Sequence, residues 1–438
     1  MDDRLEKITR ESERLIRKQK MQELMAEDHD KKVKRSSALV DEFVENLGLD
    51  TVYVSTSGGK DSACVSYLCK DKYPEIKHIM FDTGLEYQAT KDLAKKQGAI
   101  IIPPKTGWKT FCEMKGYPVA SKQVSKRIHD AFVSPLGAVI TMFSKAYHLS
   151  DKWMHFLDPE FVDFPISHRC CDEFKKRPAK RLKLNPILGT RIQESNQRKN
   201  AWKKSGCNSY SLNYKHGISR PISLWTNENV DQYIDEKNIE LSEIYTQYEQ
   251  KRTGCVNCPY GAQMDGSRFD LLKKLEPERY NYFINRTHLG YILALSGVEI
   301  VSDDTYMAKM QKAQERVKKW HIEVKGNDKY FTFKVKWLTD NYADEDIMRA
   351  LNHIRKNLMY DYEQIKKKIE ETPSKLKKVK CLENDEVYED VESAAKALDL
   401  TKSLVADQLC GIRKSVKKGS KTYHFRRINE QRRKEKMA

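Results

Sequence analysis

Apolar and polar residues alternate in two rhythms between Ala38 and Pro104. Leu39 to Leu47 has helical spacing, Thr51 to Thr56 is a short β-rich run, and Lys60 to about Lys70 is helical again, turning Ala63, Val65, Leu68 and Cys69 inward. A second strand is predicted at Ile76 to Phe81, a helix at Tyr87 to Gln97 and a third strand at Ala99 to Ile102. Repeated strand–helix units with continuously apolar strands predict an α/β fold built on a doubly wound parallel sheet. Ligands on such sheets lie beyond the carboxyl ends of the strands. Ser57 to Ser62 and Asp82-Thr83-Gly84 both fall at such ends, so they should face one pocket.

Outside this core the pattern is less regular. Residues 1–36 are densely charged, with Leu15, Ile16, Met21, Leu24 and Met25 as a narrow stripe on an extended helix. Ser267 to Leu295 is predicted helical with Phe269, Leu271, Leu272, Leu275 and Tyr282 in the core. Trp320 to Trp337 suggests a short β element around Gly326-Asn327-Asp328, and Asp344 to Glu371 one long amphipathic helix ending before Pro373. From Val379 a hairpin around Asn384-Asp385 leads into two short helices, Val391 to Leu398 and Ser403 to Leu409, spaced as a helix-turn-helix. The expected organisation is a charged helical segment (1–36), the α/β domain (37–300), a mixed then helical extension and linker (301–372), and a small basic domain (373–438).

Composition narrows the partners. Of 438 residues 33% are charged and the formal net charge is +17, which favours a polyanion such as nucleic acid. No apolar run reaches membrane-span length and the first residues lack a signal-peptide core, so a soluble, cytoplasmic protein with no membrane partner is expected. Ten cysteines in such a chain point to thiol chemistry or metal binding.

The candidate chemistry begins at Ser57-Gly58-Gly59-Lys60-Asp61-Ser62. Glycines at a strand-to-helix turn let several backbone N–H groups point at one spot, and the helix N-terminus behind them favours a phosphate. The run is not the longer Walker A loop. Asp61, with Asp82, is a candidate magnesium ligand. Two cysteine pairs follow, Cys170-Cys171 and, after 83 intervening residues, Cys255-Val256-Asn257-Cys258. Four soft thiolates suit one metal centre. Neighbouring cysteine side chains diverge, so a 4Fe–4S cluster is preferred, with zinc as the alternative. Lys122, Lys126, Arg127 and His129 form a basic run on a predicted helix, equally readable as a solvated face.

These motifs together resemble the phosphoadenosine phosphosulfate (PAPS) reductase and N-type ATP pyrophosphatase superfamily. The Ser57 to Ser62 loop is similar to its pyrophosphate loop, and Asp82 to Thr90 to the end of its second strand. The two cysteine pairs are similar to the iron–sulfur pattern of adenylylsulfate reductases. Leu188-Gly189-Thr190-Arg191-Ile192-Gln193-Glu194-Ser195, with Arg198 trailing, matches the family's Gly-x-Arg-x-x-Glu-Ser segment, and Arg220-Pro221-Ile222 with Trp225-Thr226 also fits. The resemblance spans about 38–290 and implies an adenine nucleotide alpha hydrolase-like fold. It further implies ATP or PAPS on the loop, Arg191 and Arg198 on the substrate anion, and Lys60, Asp61, Arg191 and Glu194 as catalytic residues.

The chain also departs from the reductases. It lacks their Glu-Cys-Gly tail, while its phosphate loop is complete. In this it looks more like the sulfurtransferase of the Dnd DNA phosphorothioation system or a tRNA-thiolating enzyme, which implies a sulfur-donor protein as partner. The last 66 residues resemble the nuclease-associated modular domain of phage and intron homing endonucleases, down to Tyr423-His424-Phe425-Arg426. That implies DNA contacts from Lys402, Ser403, Arg413, Lys414, Lys417, Lys418, Arg426 and Arg427. The expected function is adenine-nucleotide-dependent sulfur chemistry on or near nucleic acid. The alternatives are a reductase releasing sulfite, with Cys112, Cys207 or a motif thiol replacing the tail, and a non-catalytic DNA-binding protein that senses nucleotide.

Overall fold

The computed structural model describes residues 19–211, 216–250, 253–300, 304–374 and 378–427. Leu15, Ile16 and the basic residues after Arg427 lie outside them. Contacts divide the chain into two units. The first comprises Met1–Phe111, Cys170–Cys258 and Ser267–Glu276, and the second Cys112–Arg169, Pro259–Gly266 and Pro277–Ala438.

The first unit is built on a six-stranded sheet. Its strands are β1 (Val52–Thr56), β2 (Lys77–Phe81), β3 (Ile100–Ile102), β4 (Asn185–Leu188), β5 (Asn208–Tyr210) and β6 (Gly217–Ser219), in the spatial order β3-β2-β1-β4-β6-β5. All neighbours are parallel except the edge strand β5, which runs antiparallel to β6. The parallel α/β fold expected from the strand–helix rhythm is present.

Successive residues of a strand point to opposite faces, and here the two faces have different fates. Val52 and Val54 of β1 and Ile187 of β4 enter one apolar core. It is closed by the helices His29–Leu47, Lys60–Lys70 and Asn227–Glu236 through Phe43, Val65, Leu68, Val230 and Tyr233. Full burial of each such side chain is worth roughly 1.5–3 kcal/mol. Tyr53 and Ser55, with their β4 neighbours Pro186 and Leu188, point the other way and line a cavity. A buried relay fixes the core side. The Trp225 indole N–H donates to Ser36 Oγ at 2.9 Å, and Ser36 Oγ–H donates to the Pro221 carbonyl at 2.9 Å. Of the predicted N-terminal stripe, Met21, Leu24 and Met25 pack with Ile192, Leu224 and Trp202.

The second unit is mainly helical, and three sequence readings, the last of which begins in the first unit, need correction. Trp320 to Trp337 is not a β element. It spans the helices Asp304–Glu323 and Asn327–Asn341, separated at Gly326 with φ +113°. The alternation of Phe331, Phe333, Val335 and Trp337 imitates a strand, yet the buried set is Phe331, Lys334, Val335, Trp337 and Leu338, which is a helical face. Lys334 is accommodated inside by an ion pair to Asp151 at 3.1 Å. Asp344 to Glu371 is two helices, Asp344–Ile354 and Tyr362–Glu371, because Asp361 caps the second by accepting from the Gln364 N–H. Ser267 to Leu295 is three helices, one restarting at Pro277, and Tyr282 is exposed rather than core.

At the carboxyl end, β7 (Val379–Cys381) and β8 (Val387–Tyr388) form the expected hairpin, followed by helices Val391–Ala397 and Lys402–Leu409. The basic stretch after Gly411 forms a further hairpin, Val416–Lys418 with Lys421–Tyr423, and a strand Phe425–Arg427 that pairs with β7. Val379, Val391, Val405, Val416 and Phe425 make the core of this module.

His78 on β2 is buried, with Nδ1 at 3.3 Å from Ser66 Oγ, and burial pushes its pKa down to about 4. Its folded pKa lies below its unfolded one, so stability is intact above about pH 6.5 and lost as pH falls toward 4. At 1.36 kcal/mol per pKa unit the loss reaches about 3 kcal/mol. Urea unfolding of wild type and His78→Gln between pH 7.5 and 4.5 checks this: the variant should lose less stability on acidification.

Candidate functional site

The turn after β1 has the geometry that its glycines predict. Gly58 has φ +71°, a conformation glycine adopts freely, and a Cβ there would sit 2.1 Å from Thr90 Cγ2. The Ser57 N–H donates to Ser62 Oγ at 3.2 Å, and the Ser62 hydroxyl donates to the Gly59 carbonyl at 2.8 Å. The helix Lys60–Lys70 starts directly behind, so its unpaired N–H groups face the turn.

Arg191 ties this turn to β4. Its Nε donates to Asp61 Oδ1 at 2.8 Å and its Nη2 to Asn227 Oδ1 at 3.0 Å. Glu194 accepts from the Arg191 backbone N–H at 2.8 Å and pairs with Arg198. Gly189 lies against the same helix start, where an added Cβ would be 2.6 Å from the Asp61 carbonyl oxygen. Arg191 therefore positions the loop, its fork being committed to protein groups, whereas Arg198 opens into the cavity. Lys60 rests on Asp231 at 2.8 Å, over the Tyr245 ring.

At the end of β2, Asp82 accepts from the Gly84 N–H at 2.7 Å and lies 3.8 Å from Lys91. Asp61 is held by Arg191, so the two carboxylates have separate cationic partners. Thr83 donates through its N–H at 2.9 Å, and through its hydroxyl, to Glu86, whose carboxyl burial pushes above the ordinary range. Thr83 Oγ1 is also 3.8 Å from Cys255 Sγ.

The second cysteine pair is drawn to the phosphate turn. The Val256 N–H donates to the Leu85 carbonyl at 2.7 Å. Thr253, two residues before Cys255, holds the Tyr245 hydroxyl at 2.9 Å, and both oxygens stand within 3.6 Å of where a Gly59 Cβ would be. Ser57, Glu86, Lys175, Arg198, Thr253 and Gly254 thus line one cavity of about 1060 Å³, over the open face of β1 and β4. That is the upper end of ordinary ligand pockets, about 300–1,000 Å³.

All four motif cysteines belong to the first unit, and all ten cysteines of the chain are thiols. Lys175 lies one helical turn after Cys171. Cys255 foremost, then Glu86, Cys171 and Cys258, hold its ammonium above the ordinary lysine range. Among the described residues no three His, Cys, Asp or Glu side chains stand close enough to hold a metal. The donor set nonetheless fits an iron–sulfur group in kind. Asn257, between Cys255 and Cys258, is 1% exposed with neither amide atom hydrogen-bonded, an arrangement folded proteins avoid unless a further group completes it. Cys112 is fully buried with its thiol pushed far up, and Cys207 sits under the Trp202 N–H at 3.3 Å with its thiol raised by burial. Neither is presented as a nucleophile.

Of the residues expected to meet DNA, Lys402 pairs with Glu392 at 2.8 Å, Lys418 pairs with Asp399, and the Ser403 carbonyl accepts from Arg349. Arg413, Lys414 and Lys417 are exposed, and Arg426 and Arg427 lie on the last strand. Sequence reasoning carried Thr90 and Gly189 only within the family-like segments and missed Lys175 and Tyr245 as parts of the site. Lys175 was legible from its four-residue spacing after Cys171, while nothing local marked Tyr245.

A family model for the phosphoadenosine phosphosulfate reductase domain matches residues 119–260. That segment, about a third of the chain, holds both cysteine pairs and the Arg191 motif but begins after the phosphate turn. An uncharacterized protein of Methanocaldococcus jannaschii is 21% identical over 284 residues, covering 62% of this chain and 57% of the relative, so the chain spans little more than half of that protein. The structure is similar to PAPS reductase from Candida auris in a phosphate complex, at 16% identity and TM-score 0.31, covering 52% of this chain and 95% of the other. It is also similar to the U34-tRNA thiolase NcsA from Methanococcus maripaludis with its 4Fe–4S cluster, at 14% identity and TM-score 0.27, covering 62% and 82%.

Gly189→Ala tests the tie between β4 and the turn. The added methyl meets backbone, so the helix start must shift, at about 1–3 kcal/mol. Urea unfolding should register that loss and calorimetry a weaker adenine nucleotide. Unaltered values for both would remove Gly189 from the site.

Proposed function

We propose that this chain is an adenine-nucleotide-dependent enzyme of sulfur chemistry that splits ATP between its α- and β-phosphates and acts on or near nucleic acid. The observation that carries the reading is the single cavity bounded by Ser57 of the phosphate turn and by Thr253-Gly254, which lead into Cys255. An activation site and a sulfur-handling site need such proximity, because the activated intermediate must meet the sulfur before water does.

In this reading the β- and γ-phosphates rest on the N–H groups of Gly58 to Ser62. An acceptor oxygen attacks the α-phosphorus, a new P–O bond forms, and the bond to the bridging oxygen breaks, releasing pyrophosphate. The turn's amides and Lys60, once exchanged from Asp231, hold the charge that develops on the leaving group. Arg198 holds the anionic substrate as a planar fork. Arg191, through Asp61, keeps the helix start in register. Cys170, Cys171, Cys255 and Cys258 would hold a 4Fe–4S cluster, which supplies a site for binding and delivering sulfur. Lys175 and Asn257 stand beside those thiols.

A reductase releasing sulfite receives less support, since Cys112 is buried and the half-buried Cys207 has its thiol raised by burial. The Dnd-type assignment and a DNA role for the carboxyl-terminal module rest on the sequence resemblance and on the exposed Arg413, Lys414 and Lys417. ATP–pyrophosphate exchange tests the central reaction. Lys60→Ala should lower exchange by about 10²-fold or more with the fold unchanged. Exchange at the wild-type rate in that variant would remove the turn from catalysis, and no exchange in wild type would favour a nucleotide-sensing protein.

A further inference from the structure

One wall of the cavity has a charge pattern that the nucleotide reading does not use. After Cys170-Cys171 the chain makes a π-turn, Asp172–Lys176, and then a short helix, Arg177–Leu182. Lys176 ends the π-turn, Lys180 lies on the short helix with small Ala179 beside it, and Lys183 follows its last residue with φ +53°. All four line the cavity. Arg177 is turned to Glu173 instead. Lys176 pairs with Asp172 at 2.7 Å, while Lys180 and Lys183 are exposed and have no ion pair among the described residues. Glu86 is the only carboxylate among the described residues lining the cavity.

Two further facts bear on what this wall receives. In the reading above the phosphate turn and Lys60 account for the nucleotide's phosphates, and the cavity of about 1060 Å³ leaves room beyond a mononucleotide. Its lining also presents partly exposed Phe81 and His216, flat surfaces of the kind on which bases stack. A cationic row along an open groove with aromatic side chains inside is how single strands are held: lysines follow the backbone while bases stack within.

The geometry points to a single-stranded nucleic-acid track along Lys176, Lys180 and Lys183 that carries one nucleotide of the strand into the cavity. This rests on the functional reading above and deepens it: the acceptor is a strand delivered from the lysine wall of the first unit, whatever the carboxyl-terminal module does. A duplex does not fit such a cavity, so the target base is unpaired or flipped out.

The test uses the full-length protein and fluorescence anisotropy with a labelled 12-nucleotide strand, as DNA and as RNA, between 50 and 200 mM salt. Lys180→Glu/Lys183→Glu should weaken one or both strands by at least tenfold at low salt. Lys180→Gln/Lys183→Gln, which removes charge without reversing it, should lower the slope of log affinity against log salt by about 1.4, the single-strand value for two phosphates. ATP affinity by calorimetry should stay within threefold in both variants. Strand binding and slope unchanged in both variants overturn the proposal, as does a tenfold loss of ATP affinity with strand binding intact, which assigns the lysines to the nucleotide. A wild-type protein that binds neither strand overturns the nucleic-acid reading itself, while pyrophosphate exchange by that protein would leave the ATP reaction standing.

Discussion

The contact on which the rest of the site depends is the approach of β4 to the start of the helix Lys60–Lys70. Gly189 brings the backbone after β4 against the Asp61 carbonyl, and Arg191 closes the joint by donating to the Asp61 carboxylate at 2.8 Å. A phosphate turn is useful only if its N–H groups are already aimed when the ligand arrives, since ordering them on binding costs affinity. Here the aim comes from Gly58 lodged on Thr90 at one side and Arg191 on the other. The charged group that looks catalytic in sequence is thereby spent on holding geometry.

The sheet explains why a cavity exists where it does. β1 and β4 bury Val52, Val54 and Ile187 under three helices, and the same strands turn Tyr53, Ser55, Pro186 and Leu188 to an open volume. One face supplies stability and the other supplies space. Into that space come the phosphate turn from the end of β1, Glu86 from beyond β2, Lys175 from the segment after Cys171, and Thr253-Gly254 ahead of Cys255. The turn and Glu86 lie beyond the carboxyl ends of the neighbouring parallel strands β1 and β2, the position at which this architecture gathers function, while Lys175 arrives from the segment before β4 and Thr253-Gly254 from well after β6.

Much of this was legible in the sequence, and what was not has physical causes. The strand–helix rhythm of 38–104 predicts the parallel sheet because parallel strands need crossover helices, which alternate with them along the chain. Ser-Gly-Gly-Lys-Asp-Ser marks its turn because only glycine tolerates φ +71° against Thr90. Trp320 to Trp337 misled because alternating Phe, Val and Trp satisfy a strand and a helix alike, and burial of Lys334 against Asp151 decides between them. The role of Arg191 was invisible because a side chain's partner across 130 residues leaves no local trace. The close spacing of the cysteine pairs to Lys175 was half legible: the helical turn after Cys171 predicts it, the return of Cys255 after 83 residues does not.

The central claim is that the phosphate turn and the Cys255-to-Cys258 loop belong to one ligand cavity. Hydrogen–deuterium exchange with and without a saturating adenine nucleotide tests it directly. Peptides covering 57–62 and 253–258 should gain protection together, at the same nucleotide concentration. Protection of 57–62 with no change at 253–258, or protection confined to other segments, would contradict the account.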